Sequence, residues 1–188
     1  MRRKTFEVLF EPKDGMTLLV KRPCLWRSGW YYTLSVGFFA GVITNTWLIS
    51  QPLEVRFAVI AAVVLISATA LALYGFLLHG ILETLGTLSG DPRGLICLLG
   101  YTALPFLVLT PVALLAGKLG FGGLFLLAGS ILAGFIWMLY LLMHALEVVY
   151  LIDFTRAAVT VLVSLLFMYI VFILPWQIIF YLGLRFLP

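Results

Sequence analysis

At 188 residues the chain is about one domain long, 63% apolar and only 11% charged, whereas a soluble average is roughly a quarter charged. That balance excludes a water-soluble fold, and the net charge of +4 comes with no separate soluble domain that would hold a nucleic acid. Twelve Lys or Arg and eight Asp or Glu fall in clusters, and between them lie five uncharged stretches: 28–53, 57–82, 94–117, 119–146 and 157–184.

Each stretch exceeds the roughly 20 apolar residues that cross a hydrocarbon core. The reading is an all-α integral membrane protein, a five-transmembrane-helix bundle with spans at about 29–50, 57–80, 94–116, 120–143 and 157–184. Residues 1–27 form a basic cytoplasmic segment, and residues 28–188 the transmembrane domain. The basic segment has no apolar run long enough for a signal-peptide core, so no cleavage is expected. Its stretch from Lys13 to Arg22, between Pro12 and Pro23, is too short to span and fits a short interfacial helix, with leucines in the headgroup boundary and Lys21 and Arg22 facing anionic lipid.

Orientation follows from the basic residues, because Lys and Arg resist translocation. Arg2, Arg3, Lys4, Lys13, Lys21, Arg22, Arg27, Arg93 and Arg156 would share one side; Arg56, Lys118 and Arg185 would share the other. Nine against three places the N-terminus in the cytoplasm and, after five spans, the C-terminus outside. Trp26, Trp30, Tyr31 and Tyr32 at the entry of the first span, Trp47 near its exit, and Trp176 and Tyr181 near the exit of the fifth agree with these boundaries as interfacial anchors. Cys24 lies beside the membrane and Cys97 inside the third stretch, so two free, unmodified thiols are expected.

Along the spans, Gly37 with Gly41, Gly129 with Ala133, and Ser130 with Gly134 make small-residue edges suited to close helix packing. The second span ends with His79 and Glu83 one turn apart, on one face, and the Asp91–Pro92–Arg93–Gly94 turn follows. In the third span Pro105 and Pro111 predict two kinks or one broken helix. They free the carbonyls of Tyr101 and Leu107, for which Thr102 and Thr110 are candidate donors. The fourth span ends with His144 and Glu147 three apart. In the fifth, Pro175 frees the carbonyl of Val171, and interrupted helices of this kind line sites in transporters. The two His/Glu pairs would stand at similar depth on the cytoplasmic side, where the bland expectation is polar helix ends at a wet interface. Divalent-metal binding or proton relay is the sharper alternative. Walker-type glycines, a Gly-x-Ser-x-Gly elbow and a His-Glu-x-x-His helix are absent, so no enzyme, cofactor or resident metal is expected.

Taken together, Phe10–Glu11–Pro12 leading to Pro23, His79 before a glycine-containing loop, Gly100, Tyr101 and Pro105, and the segment from His144 to Ala157 resemble the Yip domain family, the Ypt- and Rab-interacting five-span membrane proteins. The resemblance implies a cytoplasmic N-terminus and an outward C-terminus, as the charge count does independently. Eukaryotic relatives act in vesicle traffic through small GTPases and a longer N-terminal region. Fewer than thirty residues precede the first span here and no Asp-Leu-Tyr-Gly-Pro motif is present, which argues against small-GTPase binding and for similarity to compact prokaryotic members in a plasma or inner membrane. The leading expectation is a non-enzymatic protein that organises lipid, other membrane proteins or copies of itself. A small transporter or lipid-translocating protein is the alternative, and a metal-binding membrane protein the third.

Overall fold

A computed structural model describes residues 7–21, 24–48, 50–86, 90–175 and 177, and among them there is helix and no strand. The elements in order are α1 (Pro12–Val20), α2 (Leu25–Trp47), α3 (Leu53–Thr84), α4 (Pro92–Thr102), α5 (Leu104–Ala116), α6 (Phe121–Tyr150) and α7 (Phe154–Met168), the last continued by a π-helical turn (Tyr169–Ile173). Four segments are long and apolar enough to cross a membrane: Leu53–Thr84, Pro92–Ala116, Phe121–Tyr150 and Phe154–Val171. Trp176, Tyr181 and Arg185, and with them the end of the fifth expected span, lie outside the described residues.

The surface shows why water is the wrong solvent. Leu65, Ile66, Phe125 and Leu162 are each at least 60% exposed, on the long helices where a soluble protein would carry charge. Helix α2 is the exception in composition because of where it sits: it packs against α3, α4 and α5. Its hydroxyls Ser28, Ser35 and Thr44 are buried in those contacts. Ser35 Oγ and Thr44 Oγ1 donate to the carbonyls of Tyr31 and Ala40 one turn back, each at 2.7 Å, so burying them leaves no donor unpaired. Gly37 and Gly41 face Val64 and Ile60 of α3.

The third expected span is one broken helix rather than two kinks. It is interrupted at Ala103, with Pro105 in the first turn of α5, where a residue without an N–H removes no intrahelical bond. Pro111 is carried inside α5 without a second break. Thr102 and Thr110 do not serve the carbonyls that the prolines free; they donate to Leu99 and Phe106 instead, since a hydroxyl on a helix reaches back one turn most easily. The π turn before Pro175 is the matching device in the last helix. Leu174 N–H bonds the Tyr169 carbonyl five residues back, which shifts the ladder just before the residue that cannot donate.

Helix α1 lies on α6 and α4. Val8, Leu9 and Met16 join Leu78, Leu82, Leu98, Tyr101, Leu142 and Leu146 in the larger apolar core, at the end of the bundle that carries α1. A smaller core of Phe39, Ala113, Ala116 and Leu127 holds the opposite end.

Candidate functional site

The end that carries α1 is where the polar chemistry collects. Helix α6 runs past its expected end and stays helical to Tyr150, stopping where Leu151 takes a left-handed conformation (φ 54°). His144, Glu147 and Tyr150 are therefore fixed on a rigid element instead of a loop. Glu147 sits between two partners: Oε1 accepts from Lys13 Nζ of α1, and Oε2 is paired with His144 Nδ1 at 2.9 Å. Glu147 and His144 are mostly buried, whereas Lys13 is 63% exposed. The His144 ring is wedged between Tyr140 and Phe154, with ring centroids 4.7 and 5.1 Å away.

His79 takes a different partner. Its Nδ1 is 2.7 Å from the Tyr150 hydroxyl. Tyr150 is fully buried and covers Gly90, where a Cβ would overlap the phenol ring. Six residues separate His144 from Tyr150, about 9 Å along the axis and well around the helix, so the two histidines are engaged on different faces of α6. Glu83 is exposed at the end of α3. Among the described residues no group of three or more His, Cys, Asp or Glu side chains is arranged to hold a metal ion, and the ammonium on Glu147 occupies the carboxylate that a cation would need.

Gly100, Tyr101 and Pro105 build the scaffold around this end. A Cβ at Gly100 would overlap the Ser28 hydroxyl and stand 2.5 Å from the Ser28 carbonyl oxygen, so glycine here sets how closely α4 crosses α2. Tyr101 is 1% exposed and lies against Tyr31 with centroids 5.2 Å apart, and Pro105 starts α5 after the break.

Lys13 and Tyr150 were not legible as partners in the sequence, because each contact joins positions far apart in the chain; the proximity of Glu147 to a basic N-terminal segment on the same side was the only hint. The cysteines, expected in different environments, are neighbours: Cys24 N–H donates to Cys97 Sγ at 3.0 Å, and both are free. The N-terminal end of α2 is drawn down onto α4, which removes the separation that linear distance from the membrane edge suggests.

A second feature is a cleft of about 670 Å³ between α2, α3, α6 and α7. Ala103 and Phe106 at the α4–α5 break line it, and so do Met168 and Tyr169 at the start of the π turn, so the two interrupted helices meet at one cavity.

The family model of the Yip1 domain matches residues 6–175, a range that includes α1, every long helix and the side chains of the polar cluster and the cleft. No curated protein and no solved structure matches the chain.

Proposed function

The chain belongs to the Yip1 domain family, and from that premise we propose that this multi-pass membrane protein is a non-enzymatic organiser of lipid or protein neighbours, working from its cytoplasmic end. In this reading α2 is a span as well, giving five spans with the N-terminus inside. Its 23 residues extend about 35 Å, enough for a hydrocarbon core of roughly 30 Å, and the nine-to-three bias in basic residues supports the orientation.

The observation that carries the reading is the docking of α1. A short helix that merely floated at a lipid surface would turn its apolar residues to lipid. This one buries Met16 in the bundle core, together with Val8 and Leu9 just before it in the chain, and ties Lys13 to Glu147. Left outside are Phe10 just before it, 80% exposed, and Leu18 on it, and the next described residues in the chain expose Lys21, Trp26, Arg27 and Trp30 as well. Such a surface of aromatic and basic side chains, held on a fixed frame, suits headgroups and neighbouring proteins at an anionic interface.

A photoreactive amino acid placed at Phe10 or Trp26 in native membranes should capture the same lipid or protein neighbours in repeated preparations. Recovery of the uncrosslinked protein alone would end this reading. The meeting of the two interrupted helices at one cleft favours a second reading, passage of a lipid or small solute. Reconstituted vesicles with no flux above empty ones for ions, small solutes and lipid probes would dispose of it.

A further inference from the structure

The cleft has a shape that selects its occupant. Its lining on α2 runs from Tyr32 to Leu48, sixteen residues or about 24 Å along the helix axis, and α3 accompanies it antiparallel from Tyr74 to Val59. A cleft of about 670 Å³ with that lining is elongated along the two helices, as an extended apolar chain requires. The volume also lies within the roughly 300–1,000 Å³ of ligand sites. Val63, Ala70 and Phe135 line the cleft and are exposed, so it opens sideways into the surrounding solvent, which for these helices is lipid.

The lining is apolar apart from the hydroxyls of Tyr32, Thr44, Ser67, Tyr74 and Tyr169, and each of these already has a partner: Tyr32 pairs with Ser67 and Tyr169 donates to Gln177 Oε1 at 3.0 Å. Thr44 Oγ1 is engaged by the Ala40 carbonyl, Ser67 Oγ by the Val63 carbonyl, and the Tyr74 hydroxyl by Ser164 Oγ at 2.6 Å. A polar occupant would have to give up its hydration without replacement, whereas an alkyl chain loses nothing.

Arg56 does not line the cleft but lies next to its end in the chain. Arg56 lies one turn before Val59 on α3, the same face of that helix, and its Nη1 donates to Asn45 Oδ1 at 2.8 Å, beside Thr44 of the lining. Its Nε is buried without a hydrogen-bond partner among the described residues, but the residue as a whole is part-exposed. A guanidinium held on one side by an amide and still part-exposed on its terminal edge suits an anionic oxygen there.

We propose that the cleft binds a membrane phospholipid, one acyl chain lying between α2 and α3 and the phosphate at Arg56. This deepens the organiser reading by naming a lipid and its seat, but it does not depend on α1; Met16→Ala, which loosens α1 from the bundle, should leave it unchanged.

The test uses the full chain in vesicles of phosphatidylcholine and phosphatidylglycerol, with a phosphatidylglycerol probe carrying a diazirine at the end of one acyl chain. After irradiation, labelled peptides should come from the lining of α2, α3 and the α4–α5 break, several-fold above those from Phe125 or Leu162 on the outer faces. Ala70→Trp, which fills the cleft from its exposed side, should reduce cleft labelling at least fivefold, and Arg56→Gln should reduce it severalfold. Leu65→Trp, on α3 outside the lining, controls for added bulk, and unchanged melting of each variant in detergent controls for folding. Labelling spread evenly over outer and cleft residues, or cleft labelling indifferent to both Ala70→Trp and Arg56→Gln, would overturn the proposal. If the platform around α1 captured no neighbours but cleft labelling behaved as described, only the organiser reading of the cytoplasmic end would fall.

Discussion

At Gly100 one hydrogen atom decides how near two helices come. Because Ser28 presents its backbone carbonyl as well as its hydroxyl to that point, Gly100→Ala must push α2 and α4 apart, and overpacking of this kind costs about 1–3 kcal/mol. A lower melting temperature in detergent is expected, and Ser28→Gly added to it should restore only part of the loss, since the carbonyl remains. At the docking of α1 the magnitudes rank two contacts that look alike in importance. Lys13 is largely exposed, so its ion pair with Glu147 is worth about 1 kcal/mol or less. Met16 is fully buried, and truncating such a side chain costs about 2–5 kcal/mol. Lys13→Ala should therefore leave α1 largely resistant to brief proteolysis, while Met16→Ala should expose it; the opposite order would mean that charge and not burial holds this helix.

At the scale of elements, the prolines show that position within a helix matters more than residue type. Pro105 sits where a helix starts and Pro111 where it should continue. Replacing Pro111 with Ala restores a missing backbone donor and should raise thermal stability, since an interior proline costs roughly 3 kcal/mol. Pro105→Ala should instead favour an unbroken helix across Ala103 and move Phe106 at the cleft, read as a changed distance between spin labels on α4 and α5. The sequence carried these breaks openly, because a missing N–H is a local fact. Uncharged runs are local facts too, which is why the long helices were readable, although α6 continues past its uncharged stretch through Glu147 to Tyr150. Pairing was not readable: His79 and Glu83 share a face, yet His79 meets Tyr150, 71 residues away, and nothing in the spacing of either residue encodes that crossing. The same holds for His144, which shares a helix turn with Glu147, while the Lys13 that completes that cluster lies 134 residues from Glu147.

For the whole molecule, the decisive quantity is which solvent the outer faces meet. Ile66 lies near the middle of α3 and is 69% exposed. If water surrounded it, Ile66→Lys would be a surface change worth within about 0.5 kcal/mol and would improve solubility. If hydrocarbon surrounds it, a lysine at the centre of a span costs about 2.5–3.5 kcal/mol on insertion scales, a sizeable share of a total stability of about 5–15 kcal/mol. We expect Ile66→Lys to cut the yield of membrane-inserted protein severalfold, and Ile66→Leu to leave it unchanged. The same substitution at Leu85, equally exposed but past the end of α3, should be nearly silent because a lysine there reaches the headgroups. The two positions have almost the same fractional exposure and differ only in depth. A difference between Ile66→Lys and Leu85→Lys therefore reports the bilayer itself, and equal effects would mean that these faces are covered by something other than lipid.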